Sequence, residues 1–419
     1  MDKFEIVGGN KLFGEVTVPC AKNSYLAILA GCVLCSGVVV LHNCPNFSDI
    51  NCMLDILSSL GAKVERIDRT LVIDCSCICE PNVPKGMAKK IRSSIFLLGP
   101  LVARLGKAVV SYPGGCEIGA RPIDLHLKGL RALGINISER HGVIECEASK
   151  VVGGIVHLDY PSVGATENLI MAATLGKGRT FISNCAKEPE IVDLQNFLNS
   201  MGAKISGAGS DFIEIEGVER LQSTVWTPVP DRIVAGTYIL AAACCGGDVL
   251  VKNVQKEHIY SLLTKLHECG LQMKNVGDSI RVTSNKRLRT FGNIETLPYP
   301  GFPTDLQPQS LTLQTVSTGT CVITENLFET RLKHVPELVK MGANIITRDR
   351  VAIVTGVEKL FGAEVVASDL RAGAALVMAG LMAEGKTTIS NIHFIDRGYE
   401  KMEQVFSSLG ANIKRTQGV

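Results

Sequence analysis

Two kinds of hydrophobic segment alternate along the chain. In the first, apolar residues fill almost every position: 26–34, 95–102, 169–175, 233–243 and 374–383, with a weaker copy at 306–316. In the second, apolar residues return every three or four positions, as in 193–201 and 400–409. A helix apolar on every side is a buried one, and an amphipathic helix covers a surface. The pattern therefore predicts an α/β protein in which each unit holds one buried and one exposed helix. Strands such as 180–183 and 249–252 lie between them.

These units repeat. An apolar-Gly-apolar signature recurs at Gly61, Gly134, Gly202, Gly270, Gly342 and Gly410, with spacings of 73, 68, 68, 72 and 68 residues. A second series runs in step at Gly37, Gly106, Gly178, Gly247, Gly319 and Gly385, each closing an apolar segment before a strand. A glycine just past a helix suits a left-handed cap, so this second series is expected to cap the buried helices. Two registers recurring together define six repeats of about 70 residues. Six repeats are too many for one core, and 226–231, with Pro228 and Pro230, reads as a linker between the third and fourth. Two domains of three repeats follow, with the cleft between them as the natural ligand site.

Composition adds exclusions. The apolar fraction is 46% and the charged fraction 20%, which suits a folded chain and not a disordered one. A formal net charge of +2 gives no global reason to expect nucleic acid or a membrane surface. The uncharged run 24–41 approaches the roughly 20 residues of a membrane span. It is broken by Gly31, Ser36 and Gly37 and ends in the strand-like Val38-Val39-Val40. The odd count of 15 cysteines, with no signal-peptide pattern at the start, favours free thiols in a reducing compartment.

The residues opening the buried helices carry the candidate chemistry. They are Lys22-Asn23, Arg92-Ser93, Thr166-Glu167-Asn168, Asp231-Arg232, Thr304-Asp305 and Asp369-Leu370-Arg371, each 10 to 16 residues before the glycine that closes its helix. Ordinary capping accounts for the Ser, Thr, Asp and Asn among them. It does not account for Lys22, Arg92 and Arg371, because a cation opposes the dipole at a helix start and an anionic ligand suits it. A second candidate is the loop Pro113-Gly114-Gly115-Cys116-Glu117-Ile118-Gly119-Ala120-Arg121-Pro122-Ile123-Asp124-Leu125-His126. Its glycines and Arg121 favour a reactive thiol at Cys116, against the plainer alternative of a small buried cysteine in a turn.

At these residues the chain resembles the UDP-N-acetylglucosamine enolpyruvyl transferases. The likeness is carried by the cysteine loop together with Ala21-Lys22-Asn23, 92–104, 162–168, Phe302-Pro303-Thr304-Asp305 and Asp396-Arg397-Gly398, in order along the whole chain. Cys20, Tyr25, Ser93 and Ile123 stand where that family usually has other residues.

The resemblance implies a two-domain inside-out α/β barrel with buried helices surrounded by sheets, divided as 22–229 and 1–21 plus 230–419, with the active site between. It implies transfer of the enolpyruvyl group of phosphoenolpyruvate to the 3′-hydroxyl of UDP-N-acetylglucosamine, in the cytoplasm, at the first committed step of cell-wall precursor synthesis. No metal or cofactor is implied, and no nucleic-acid or membrane partner. By motif position, Cys116 is the thiol that protonates the methylene carbon and forms a covalent adduct, and Asp305 is the base. Lys22, Arg121 and Arg397 would hold the phosphate and carboxylate. Asn23, Arg92, Arg121, Pro122, Ile123, Asp124, Leu125, Ser162, Val163, Gly164, Asp305 and Leu327 would line the nucleotide-sugar site, with Arg331 and Arg371 helping to close it. An enzyme acting on shikimate 3-phosphate would share the repeat but not the cysteine loop. A catalytically silent paralogue that binds the sugar nucleotide is the rival of a different class.

Other signals read as structural. Cys75, Cys77 and Cys79 fall at period two, as on one face of a strand, and lack the partners of a metal site. Cys244-Cys245 reads as core filling, His126 as serving either the loop or a local hydrogen bond, and 286–289 as a solvated basic loop.

Overall fold

The computed structural model describes residues 2–114, 118, 119 and 122–417. Six helical segments are largely buried. They are α1 (Lys22–Cys32), α2 (Leu98–Leu105), α3 (Val163–Thr174), α4 (Arg232–Cys245), α5 (Gln307–Gln314) and α6 (Leu370–Met382). 3₁₀ segments, Arg92–Leu97 and Thr304–Leu306, lead into α2 and α5. Every residue of α5 is buried although it reads Gln-Pro-Gln-Ser-Leu-Thr-Leu-Gln. That polarity is why the sixth apolar segment is weak in the sequence. Helix α3 begins at Val163, three residues before the Thr166 expected to open it. Thr166, Glu167 and Asn168 are therefore buried inside a helix and do not open one.

The amphipathic helices Ser48–Ser59, Asp124–Ala132, Pro189–Ser200, Tyr260–Glu268, Val335–Lys340 and Met402–Ser408 bury one face each. All six end alike. The glycine two residues beyond has positive φ, from 77° at Gly134 to 108° at Gly61. The following residue then donates its N–H back to the third-last helical carbonyl, as in Ala62 to Leu57 at 3.0 Å and Ala411 to Phe406 at 3.0 Å. The glycine itself donates to the next carbonyl along, as in Gly61 to Ser58 at 3.1 Å and Gly410 to Ser407 at 3.0 Å. This Schellman closure explains the apolar-Gly-apolar signature, since the residue after the glycine must also pack on the helix it leaves.

The second glycine series was expected to cap the buried helices, and only Gly106 does so, as the left-handed C-cap of α2. Gly247, Gly319 and Gly385 stand at the starts of strands. Gly37 lacks positive φ, and a Cβ there would lie 2.4 Å from Ser223 Oγ.

Among the described residues the strands form six small sheets, five mixed ones of four strands and an antiparallel one of three. Each four-stranded sheet joins one parallel pair to two antiparallel pairs, as in 155–157 parallel to 179–183 and 179–183 antiparallel to 212–216. The chain divides into two compact units: Met1–Pro19, Glu117–Ala120 and Pro230–Val419 in one, Cys20–Cys116 and Arg121–Val229 in the other. Cys20 and Ala21 thus pack with the second unit, although the family pattern groups them with 230–419. The N-terminal strand Lys3–Val7 lies between Lys386–Ser390 and Asn412–Thr416, so the first residues complete the last sheet of the first unit. In the second unit, Thr224–Trp226 pairs in parallel with Val39–Leu41 and completes that unit's first sheet. Trp226 is therefore strand and not linker, and its indole donates to Asp193 Oδ1 at 3.0 Å.

Two further expectations change. The strand Thr70–Asp74 ends before the cysteine triplet, leaving Cys75 buried and Cys77 and Cys79 exposed on a turn. Arg287 is not simply solvated: its guanidinium donates to the carbonyls of Val316 (2.7 Å), Ser317 (3.3 Å) and Val357 (2.7 Å). The run 24–41 becomes α1 and a strand, and no helix among the described residues is long and apolar enough to cross a membrane.

Candidate active site

Asp305 sits in the 3₁₀ turn ahead of α5. Its Oδ1 lies 2.6 Å from Arg331 Nη2, and its Oδ2 lies 3.0 Å from Arg371 Nη2. Both guanidiniums are buried, at 2% and 5% side-chain exposure, while Asp305 is 30% exposed. The cluster thus presents its carboxylate outward and keeps its cations behind. Burial alone would raise the Asp305 pKa. Arg371 and Arg331 overcome that and hold the carboxyl well below the usual carboxylate range.

Each cation is itself fixed. Arg331 donates to the Thr304 carbonyl from Nε at 3.3 Å and from Nη2 at 3.2 Å, and its Nη1 lies 3.8 Å from Asp369 Oδ1. Arg371 opens α6, where Asp369 accepts from the Arg371 and Ala372 N–H groups at 2.9 and 3.1 Å. Glu325, fully buried, accepts from Thr296 Oγ1 (2.9 Å), Thr304 Oγ1 (2.9 Å), Leu327 N (2.9 Å) and Phe328 N (3.1 Å). It thereby fixes the residue before Asp305 and places Leu327. Sequence reasoning missed Glu325; its one signal is a carboxylate directly after the alternating strand Thr320–Thr324. Arg397 ends the turn Ile392–Arg397 in the same unit.

In the other unit, Lys22 and Asn23 are the first two residues of α1, and Lys22 Nζ lies 3.2 Å from Asp49 Oδ2. Arg92 opens the 3₁₀ segment before α2. Ser162 caps α3 by accepting from Ala165 N, so Val163 and Gly164 form its first turn. Asp124 and Leu125 open the helix that follows Pro122 and Ile123.

Asn168 ties these segments together. Its Oδ1 accepts from Gly99 N at 2.7 Å, and its Nδ2 donates to Ile95 O at 2.9 Å and faces His126 Nδ1 at 3.1 Å. The two backbone partners fix the amide orientation, so His126 Nδ1 is the acceptor and its proton resides on Nε2. His126 thus serves a buried hydrogen bond. Cys116 and Arg121 lie outside the described residues.

Side chains cap the starts at Ser162, Asp231 and Asp369. The starts at Lys22, Arg92 and Thr304 follow Ala21, Ile91 and Pro303 and have no side-chain cap.

The family profile of EPSP synthase (3-phosphoshikimate 1-carboxyvinyltransferase) matches residues 6–406. The enolpyruvyl transferase NikO from Streptomyces tendae superimposes with a TM-score of 0.90 at 25% identity, covering 100% of this chain and 99% of that one. EPSP synthase from Acinetobacter baumannii does so at 0.78 and 19% identity, over 100% of both chains, a likeness of fold alone. The fold is therefore that of the enolpyruvyl transferases. UDP-N-acetylglucosamine 1-carboxyvinyltransferase 2 of Caldanaerobacter subterraneus subsp. tengcongensis is 52% identical over 99% of this chain and 100% of its own length. The Clostridium botulinum UDP-N-acetylglucosamine 1-carboxyvinyltransferase is 47% identical over 99% and 100%. The chain belongs to the family of UDP-N-acetylglucosamine 1-carboxyvinyltransferases.

Proposed function

We propose that the chain transfers the enolpyruvyl group of phosphoenolpyruvate to the 3′-hydroxyl of UDP-N-acetylglucosamine and releases phosphate, in the cytoplasm, as the first committed step of peptidoglycan precursor synthesis. Identity of 47–52% along the whole length to enzymes of that name carries the reading. The carboxylate of Asp305, backed by two buried guanidiniums, supports it. Each unit is read as an inside-out α/β barrel of three repeats, with the reaction in the cleft between 22–229 and 1–21 plus 230–419.

In the addition, the sugar oxygen bonds to C2 of phosphoenolpyruvate while a proton reaches C3. Loss of a C3 proton and of phosphate then restores the double bond. Asp305 receives the hydroxyl proton and Cys116 delivers the one to carbon, a donor and an acceptor on separate elements as acid–base catalysis requires. Cys116 also attaches covalently to phosphoenolpyruvate. Lys22, Arg121 and Arg397 hold its phosphate and carboxylate, since Arg pairs both groups through a planar fork. Asn23, Arg92, Arg121 to Leu125, Ser162 to Gly164, Asp305 and Leu327 line the sugar-nucleotide site, which Arg331 and Arg371 help to close. While both guanidiniums face Asp305 its basicity is low. A multiply charged anion arriving among these cations neutralises part of their field and raises it.

The test is phosphate release with both substrates and with each omitted. Release only when both are present is expected. Release with shikimate 3-phosphate in place of the sugar nucleotide, or none at all, would overturn the reading.

A further inference from the structure

Behind Arg371, on the side away from Asp305, runs a buried chain of hydroxyls. Arg371 Nη1 donates to the Tyr399 hydroxyl at 3.3 Å, and the guanidinium carbon lies 5.7 Å from the centre of the tyrosine ring. The Tyr399 hydroxyl lies 2.8 Å from Thr237 Oγ1, which in turn lies 2.8 Å from the Ile233 carbonyl in α4. Gln309 Nε2, from α5, reaches Thr237 Oγ1 at 3.2 Å and the Tyr399 oxygen at 3.3 Å. Tyr399 is 1% exposed, and Thr237 and Gln309 are fully buried.

The direction of this chain is fixed from both ends. Arginine has donors only, so the Tyr399 oxygen accepts from it. The Ile233 carbonyl accepts only, so it takes the single hydroxyl hydrogen of Thr237. Between the two hydroxyls, Tyr399 must therefore donate to Thr237. Every oxygen then turns its negative end toward Arg371, and both hydroxyls use their one hydrogen. The chain also joins α4, α5 and α6 at the guanidinium that faces Asp305.

We propose that Tyr399 is a positioning residue for the transferase: its hydroxyl, anchored by Thr237 and Gln309, sets the plane in which Arg371 meets Asp305. This rests on the reading of Asp305 as the base. Removing the hydroxyl leaves a buried Arg371 N–H without its acceptor, and the fork turns away from its alignment with Asp305.

The test uses Tyr399→Phe, Thr237→Val, their double variant and Thr237→Ser in phosphate release, with kcat and KM followed across pH. Each of the first two lowers kcat roughly 10-fold, in line with an unmade hydrogen bond to a charge. The double variant loses little more than either, because both break one chain. Thr237→Ser, which keeps the hydroxyl, retains wild-type kcat. The acid limb of the kcat profile moves to higher pH in Tyr399→Phe, since a guanidinium turned out of alignment pairs less well with Asp305 and lets its pKa rise. A simple packing role lowers thermal stability and leaves kcat and the acid limb of the folded enzyme unmoved, which would overturn the proposal. If Tyr399→Phe does not fold, the contrast between Thr237→Val and Thr237→Ser decides alone, and equal kcat in those two refutes it. A wild type with no turnover would instead defeat the transferase reading.

Discussion

Arg371 Nη2 and Asp305 Oδ2 lie 3.0 Å apart although 66 residues separate them in the chain. Each stands at the start of a buried helical segment, so the repeat, which places such starts alike, accounts for their meeting. A buried ion pair is a poor way to gain stability, because desolvation consumes most of the attraction. The proposed role of Asp305 as the base gives the cluster a use that stability does not. Asp305→Ala should lower turnover about 10²–10⁴-fold, the range for acid–base groups. It should also destabilise the fold by about 2 kcal/mol, since two buried guanidiniums lose their carboxylate, with a discount for the exposed side of the pair. Steady-state kinetics and urea denaturation measure both, and a wild-type rate would take Asp305 out of the mechanism.

His334 gives a pH prediction. It is fully buried, its Nδ1 donates to the Arg331 carbonyl at 3.2 Å, and its Nε2 has no partner. Burial pushes its pKa down to about 4, against an opposing pull from Asp369. The unfolded chain gains this proton near pH 6.5 and the folded one only near 4. Stability contributed by the neutral imidazole is thus complete above pH 6.5 and declines as pH falls toward 4. Between pH 7 and pH 5 the loss from this residue is about 2 kcal/mol. Urea denaturation of wild type and His334→Gln at the two pH values should show a smaller drop in the variant. Equal drops would mean His334 does not titrate in this window.

Asn168 holds two backbone partners and one imidazole that have no access to water. Asn168→Ala should therefore cost about 2–3 kcal/mol, the penalty of leaving buried polar groups unmade. The close crossing of α2 and α3 adds to this, because a Cβ at Gly99 would lie 2.3 Å from the Asn168 carbonyl and the helices cannot slide to compensate. A fall in the melting temperature of roughly 5–10 °C is expected by differential scanning calorimetry. A shift under 2 °C would show that Asn168 does not pin Arg92, Asp124 and Ser162 in place.

The repeat was legible because it is written twice, in helix character and in glycine spacing. The glycine series could be assigned to the wrong helix because both stand near helix ends. Only the hydrogen bonds from Ala62 to Leu57 and from Ala411 to Phe406 show which series closes by the Schellman pattern. Helix α5 and the early start of α3 were obscured for a related reason. Buried Gln307, Gln309, Thr166 and Asn168 read as polar in one dimension and are interior in three. Asp305 and Arg371 were visible as a carboxylate and a cation at helix starts. Glu325, Tyr399 and Thr237 act through partners far along the chain, and no local pattern announces them.

The cysteines yield a prediction about selectivity. Among the described residues, burial pushes the thiols of Cys75, Cys146, Cys185, Cys245 and Cys321 up to about 12. Cys32 and Cys244 are raised by the same cause. A thiol reacts as its thiolate, so these groups are nearly inert at neutral pH. The exposed Cys77 and Cys79 remain as competitors for any soluble electrophile. An epoxide phosphonate also needs cations for its anionic end, a role the proposed function assigns to Lys22, Arg121 and Arg397. Intact-mass and peptide mass spectrometry should therefore find one adduct, at Cys116, formed faster when the sugar nucleotide is present. Cys116→Ala should remove it. Cys77→Ser with Cys79→Ser should leave it unchanged. Lys22→Ala should slow labelling at least 10-fold through lost anion binding. An adduct that persists in Cys116→Ala and disappears in the Cys77, Cys79 double variant would place the reactive thiol on the turn after Asp74 and remove the cysteine loop from the chemistry.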